Sequence, residues 1–148
     1  MSNSLEELLA AHGVCIMDTE GDSMFPMLRQ GVTRISLVPL PEHFAPKKRD
    51  LPVYRRPDGK VVCHRIVRVF DPTLVGTRGD NRRGLEKVPV SSFIGIVDGF
   101  YRGKRFIPVS SCAYRLYALL WTRLYGLRFP FLWVRDMILR LRLKTHGR

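Results

Sequence analysis

A chain of 148 residues is enough for one domain with a modest core plus an appendage. Its apolar content of 45% and charged content of 26% exclude wholesale disorder. With 25 Lys and Arg against 13 Asp and Glu, the formal net charge of +12 favours an anionic partner: a phospholipid surface, a nucleic acid or an acidic peptide.

Ser4-Leu5-Glu6-Glu7 is a capping-box pattern that opens a short helix over the first dozen residues, ended by Gly13. No secretory-signal pattern precedes or overlaps it. Val14-Cys15-Ile16-Met17 reads as a strand feeding a constrained turn, Gly21-Asp22-Ser23-Met24-Phe25-Pro26. Gly21 permits unusual dihedrals and Pro26 fixes its own φ, so Ser23 is held where a nucleophile could be presented. The plain alternative is an ordinary turn serine. Residues 32–38 alternate at period two and read as a strand, which Pro39 and Pro41 end. Residues 41–50 form a charged, solvated loop. Leu51-Pro52-Val53-Tyr54 is a short strand, and Pro57-Asp58-Gly59 turns the chain into a longer strand over 61–70. On that strand Val62, His64, Ile66 and Arg68 share one face, with Cys63 and Arg65 on the other. Gly79-Asp80-Asn81 follows, with Glu86 a few residues on, and then the strands around 88–90 and 93–97. Asp98-Gly99 reads as a hairpin turn.

From Ser110 the composition changes to Leu, Trp, Tyr and Phe mixed with arginine. The pattern predicts two helices, 111–125 and 130–143, broken near Gly126 and Pro130. Residues 116–134 have the length of a membrane span, but Arg123 and Arg128 lie inside, and a central arginine costs about 2.5 to 3.5 kcal/mol. A basic amphipathic pair lying on a surface fits better, with Trp121 and Trp133 suited to an interface and the arginines to anionic headgroups. A helical hairpin packed on the domain or on a partner protein is the competing reading. Cys15, Cys63 and Cys112 form no CxxC pair, and with four scattered histidines they give no metal-ligand spacing. Neither a structural zinc nor any cofactor is expected, and free thiols suit a reducing compartment.

Three blocks, Gly21-Asp22-Ser23-Met24-Phe25-Pro26, then Cys63-His64-Arg65-Ile66, then Gly79-Asp80-Asn81, resemble in order and separation the signal peptidase I family and its self-cleaving repressor-type relatives. The resemblance covers roughly residues 13–98. It implies a mainly β catalytic fold of the signal-peptidase and repressor type. Bacterial members place a lysine at the base position; His64 in a His-Arg-Ile motif resembles the archaeal and endoplasmic-reticulum branch. On that footing Ser23 is the nucleophile and its N–H an oxyanion donor, His64 the base, and an acidic residue the orienting member. In the histidine-type relatives an acidic residue a few places beyond Gly-Asp-Asn serves as that third member, which by spacing implies Glu86; Asp80 ranks slightly ahead of it because the motif anchors its position. Met24 packs inward after the serine in the family, and with Asp22 and Cys63 it is expected to flank the peptide's path.

The expected organisation is therefore an N-terminal helix over 1–12, a catalytic domain over 13–109 and a basic helical appendage over 110–148. The expected activity is a serine endopeptidase that cleaves a leader or signal-type peptide. Membrane-bound members carry a transmembrane helix just ahead of the serine box. None stands there in this sequence, so a cytoplasmic location, or one peripheral on the cytoplasmic membrane face, is expected. The partners are then a peptide or protein substrate and an anionic membrane surface, with no nucleic acid. The alternative is a noncatalytic peptide-, membrane- or partner-binding module on the same fold. A repressor-like regulator fits less well, as no helix-turn-helix precedes the peptidase region.

Overall fold

The computed structural model describes residues 4–128 together with 130, 131, 133, 134, 137 and 138. The protein is mainly β, with a short N-terminal helix, a curled antiparallel sheet and helix at the C-terminal end. Helix α1 (Leu5–His12) has the predicted capping box at Ser4 and Glu7, and Gly13 closes it in a left-handed conformation. Its Leu9 is buried in the main core.

The larger sheet runs in the order β1 (Cys15–Asp18), β2 (Thr33–Val38), β8 (Phe93–Arg102), β3 (Pro52–Arg55), β4 (Val61–Cys63), with β9 (Arg105–Pro108) also paired to β8. The smaller one joins β5 (Arg65–Asp71), β6 (Leu74–Arg78) and β7 (Glu86–Pro89). Two cores follow from this division. Leu9, Met24, Met27, Leu28, Ile35, Leu37 and Val53 fill the first, and Tyr54, Ile66, Val75, Val88 and Phe93 fill the second. Tyr54 and Val53 are neighbours on β3 yet serve different cores, because successive strand residues point to opposite faces.

The sequence pattern predicts one strand from 61 to 70, but the chain changes sheets at His64. β4 pairs with β3, and β5 pairs with β6. His64, Arg65 and Ile66 are consecutively buried, which period-two alternation on a half-exposed strand does not produce. Two backbone bonds to the preceding loop secure the crossing: Ile66 N–H donates to Asp50 O at 2.9 Å, and Arg49 N–H donates to Ile66 O at 2.7 Å.

A second expectation fails at Asp98-Gly99. That dipeptide lies inside β8, where the register skips between Ser36–Gly99 and Leu37–Val97 and leaves Asp98 as a bulge residue. The Phe106 ring fills the space a Gly99 Cβ would need, so the glycine serves a close cross-strand approach. The turn comes later, at Gly103, whose φ is +60°.

Helix α2 (Cys112–Arg123) starts on Ser111, whose hydroxyl accepts from the Tyr114 N–H. It is no detached appendage: Tyr114 and Ala118 are buried in the main core. The second predicted helix, 130–143, lies largely outside the described residues.

Candidate active site

Ser23 sits in the turn between β1 and β2, just after Gly21, whose φ is +73°. What holds it is the Gly-Asp-Asn block. The Asn81 N–H donates to the Ser23 carbonyl at 2.8 Å. The Asn81 side-chain amide donates to the Asp22 carbonyl at 3.0 Å and to its carboxylate at 3.2 Å, and Arg82 donates to the same carboxylate at 2.7 Å. Gly79 allows this contact, since a Cβ there would stand 2.6 Å from the Ser23 carbonyl oxygen. Met24, buried as expected, is tied to the same block through the Asp80 N–H, 3.4 Å from its sulfur.

The Asp80 side chain has other partners. Its carboxylate takes a bidentate pair from Arg65, Nε at 2.8 Å and Nη2 at 2.7 Å, and a third bond from the Tyr117 hydroxyl at 3.2 Å. Arg65 is fully buried and also donates to the Tyr114 hydroxyl at 2.8 Å. Burial opposes its charge, and the Asp80 pair more than offsets this, leaving the guanidinium firmly protonated. Of the two acids expected for the orienting role, Asp80 thus has its carboxylate bonded to Arg65 and Tyr117, with no hydrogen bond to His64 among the described residues.

Glu86 is the acid that lies beside His64. At the start of β7 its Oε2 lies 3.6 Å from His64 Nδ1. The contact is reinforced through the Tyr54 hydroxyl, which donates to Glu86 Oε2 at 2.9 Å and stands 3.2 Å from His64 Nδ1 and 3.0 Å from Thr77 Oγ1. Arg56 fixes the Glu86 carboxylate by Nε to Oε1 at 2.8 Å and Nη2 to Oε2 at 2.7 Å. That pairing holds the Glu86 carboxyl below its ordinary range despite partial burial. Nothing in the sequence pattern singles out Tyr54 or Arg56 for the site, since only the pairing of β3 with β4 and the folding over of the second sheet bring them here.

His64 is 6% exposed, and burial, with help from the nearby Arg56 charge, pushes its pKa down to about 4. It is a neutral imidazole at pH 7. Nε2 has no hydrogen-bond partner among the described residues, and it makes no hydrogen bond to the Ser23 hydroxyl. The two side chains do line one cleft of about 1120 Å³, together with Asp22, Met24, Cys63 and Glu86. The three residues expected along the peptide's path thus all reach it. Burial pushes the Cys63 thiol up to about 12, so it contributes a small apolar wall rather than a second nucleophile.

The helix behind the site is joined to the same block. Trp121 Nε1 and Arg128 Nη1 each donate to the Asp80 carbonyl at 3.1 Å, and the Tyr125 hydroxyl donates to the Arg83 carbonyl at 2.9 Å. Arg128 lies on the Trp121 ring, its guanidinium carbon 3.6 Å from the centroid. No group of three or more His, Cys, Asp or Glu side chains able to hold a metal ion occurs among the described residues. No helix among them is long and apolar enough to cross a membrane. No family model, curated protein or solved structure matches the chain.

The two acids are separated by substitution. Asp80→Ala strands a fully buried guanidinium and is expected to cost about 3 to 5 kcal/mol of stability, whereas Glu86→Ala, at a half-exposed position, is expected to leave melting nearly unchanged. Thermal denaturation of the two variants followed by circular dichroism checks this, and equal losses would contradict the division of roles. Gly79→Ala is expected to lower the melting temperature and to shift the Asn81 and Ser23 amide resonances, because the new methyl collides with backbone rather than with a yielding side chain.

Proposed function

We propose that the protein is a serine endopeptidase of the signal-peptidase type, with Ser23 as nucleophile, His64 as base and Glu86 as the orienting acid. The observation that carries this reading is the meeting of a constrained serine and a neutral, carboxylate-backed histidine along one open cleft. In the proposed reaction Nε2 of His64 removes the hydroxyl proton as Oγ attacks the scissile carbonyl, then returns it to the leaving amine. Glu86 favours the imidazolium that forms in between. The Ser23 N–H is the proposed oxyanion donor, and one such donor is worth about 2.7 to 4 kcal/mol. The absence of a hydrogen bond between hydroxyl and imidazole in an empty site is compatible with the pair, since catalytic contacts commonly tighten only when substrate binds.

The substrate proposed is an extended peptide. Met17 and Asp18 at the end of β1, and Val61 to Cys63 of β4, line the cleft, and these two strands end the main path of the larger sheet among the described residues. An added strand can pair with either edge. For the membrane partner, support comes from exposed Leu116, Leu120, Leu124 and Leu127, spaced along one side of the C-terminal helix beside exposed Arg115 and Arg123. The activity would then take place in the cytoplasm or at the cytoplasmic membrane face. A noncatalytic binding module is the second reading, favoured by the missing hydrogen bond between Ser23 and His64.

A library of proteome-derived peptides incubated with the protein and analysed by mass spectrometry distinguishes the two. Cleavage by the wild type that falls about 10²-fold or more in Ser23→Ala and in His64→Ala supports the peptidase; cleavage that persists in Ser23→Ala refutes it. The base must be unprotonated to act, so on acidification kcat/KM is expected to hold through pH 6.5 and fall only toward about 4, the value burial imposes on His64. An acid limb centred near 6.5 would contradict the buried-base account. Stability moves in the same direction: the unfolded histidine binds its proton first, so the melting temperature should decline as pH drops from about 6.5 toward 4.

A further inference from the structure

We propose that Tyr54 is a positioning residue whose single hydroxyl proton, committed to Glu86, fixes the His64 tautomer with hydrogen on Nδ1 and a lone pair on Nε2. The inference rests on the peptidase reading for its catalytic consequence, but its structural content stands apart from it.

The argument is one of proton counting. A tyrosine hydroxyl has one hydrogen to donate and two lone pairs to accept with. Three partners surround Tyr54 Oη: Glu86 Oε2 at 2.9 Å, Thr77 Oγ1 at 3.0 Å and His64 Nδ1 at 3.2 Å. An ionised carboxylate only accepts, so the hydroxyl hydrogen belongs to Glu86. Were it turned to Nδ1 instead, two oxygens bearing only lone pairs would face each other at 2.9 Å inside the protein. With the hydrogen spent, the Thr77 hydroxyl and Nδ1 must both donate to Oη. All three capacities are then filled, and Nδ1 carries the ring proton of the neutral imidazole.

The surroundings hold this arrangement rigidly. Tyr54 is 1% exposed, and its ring packs against Phe93 at 6.1 Å between centroids. Arg56 pins both Glu86 oxygens and keeps the carboxylate 3.6 Å from Nδ1, beyond direct hydrogen bonding, so the tyrosine oxygen supplies the contact the acid does not make. Thr77, fully buried on β6, can place its hydroxyl hydrogen on the same oxygen. Nε2 is left as the basic nitrogen, the one a serine proton must reach.

Nitrogen-15 NMR of the histidine rings in the full-length protein at pH 7 tests this. The expected wild-type spectrum shows His64, assigned by its loss in His64→Gln, protonated at Nδ1 and bare at Nε2. In Tyr54→Phe, which keeps the ring packing, the Nε2-protonated form should gain population, with kcat lowered at least roughly tenfold and KM little changed. Glu86→Ala, a change at a half-exposed residue, frees the hydroxyl hydrogen for Nδ1 and should shift the tautomer the same way. A wild-type ring protonated on Nε2, or a tautomer that neither substitution moves, overturns the proposal. An Nδ1-protonated ring that responds as expected, in a protein that cleaves no peptide, keeps the tyrosine relay and removes the peptidase.

Discussion

The buried ion pair between Arg65 and Asp80 is the contact on which the rest of the site depends. Arg65 follows His64 directly in the chain, and Asp80 lies in the block whose neighbouring Asn81 holds the serine turn. One bidentate pair therefore ties the crossing between the two sheets to the loop that holds Ser23. The pair also collects Tyr114 and Tyr117 from α2 and the sulfur of Met27. Desolvating two charges is costly, and a pair of this kind contributes less to net stability than its distances imply. Its value here is in register: a buried guanidinium matched to this one carboxylate tolerates one arrangement of β5, the Asp80 loop and α2.

Much of the frame was legible in local signals. The capping box at Ser4, the punctuation by Gly13 and Gly21, and the alternating strand over 32–38 are all decided by neighbours in sequence, and they stand as read. What failed were features set from a distance. Period-two alternation continues through His64 without marking where one sheet gives way to another, because the break depends on bonds to residues 49 and 50. Asp98-Gly99 has turn composition, yet Phe106 across the ladder needs the glycine for space.

The candidate site was legible to a similar depth. Ser23 and His64 stand out because backbone constraint and a titratable ring near neutrality are visible residue by residue. The choice between Asp80 and Glu86 was only half visible: spacing beyond Gly-Asp-Asn pointed to Glu86 and motif position to Asp80, and neither says which partner a carboxylate meets. One clue was available: an arginine that is buried needs a counter-charge, which sets Arg65 in competition with His64 for the acids around it. Tyr54 carried no signal at all, because its three polar partners come from β6, β7 and the sheet crossing.

His64 and Arg65 show how two adjacent ionisable residues can answer burial in opposite ways. The arginine keeps its charge because a carboxylate meets it squarely, while the histidine gives up its proton because burial disfavours its charge and the nearby Arg56 guanidinium adds to this, outweighing the opposing pull of Glu86. The distance of 3.6 Å between Glu86 and Nδ1 is thus part of the chemistry. A tighter contact would raise the imidazole pKa and hold a proton at rest; a looser one would lower it further. Arg56, which also lines the cleft, sets that balance by holding both Glu86 oxygens, and the Tyr54 hydroxyl stands between the carboxylate and the ring.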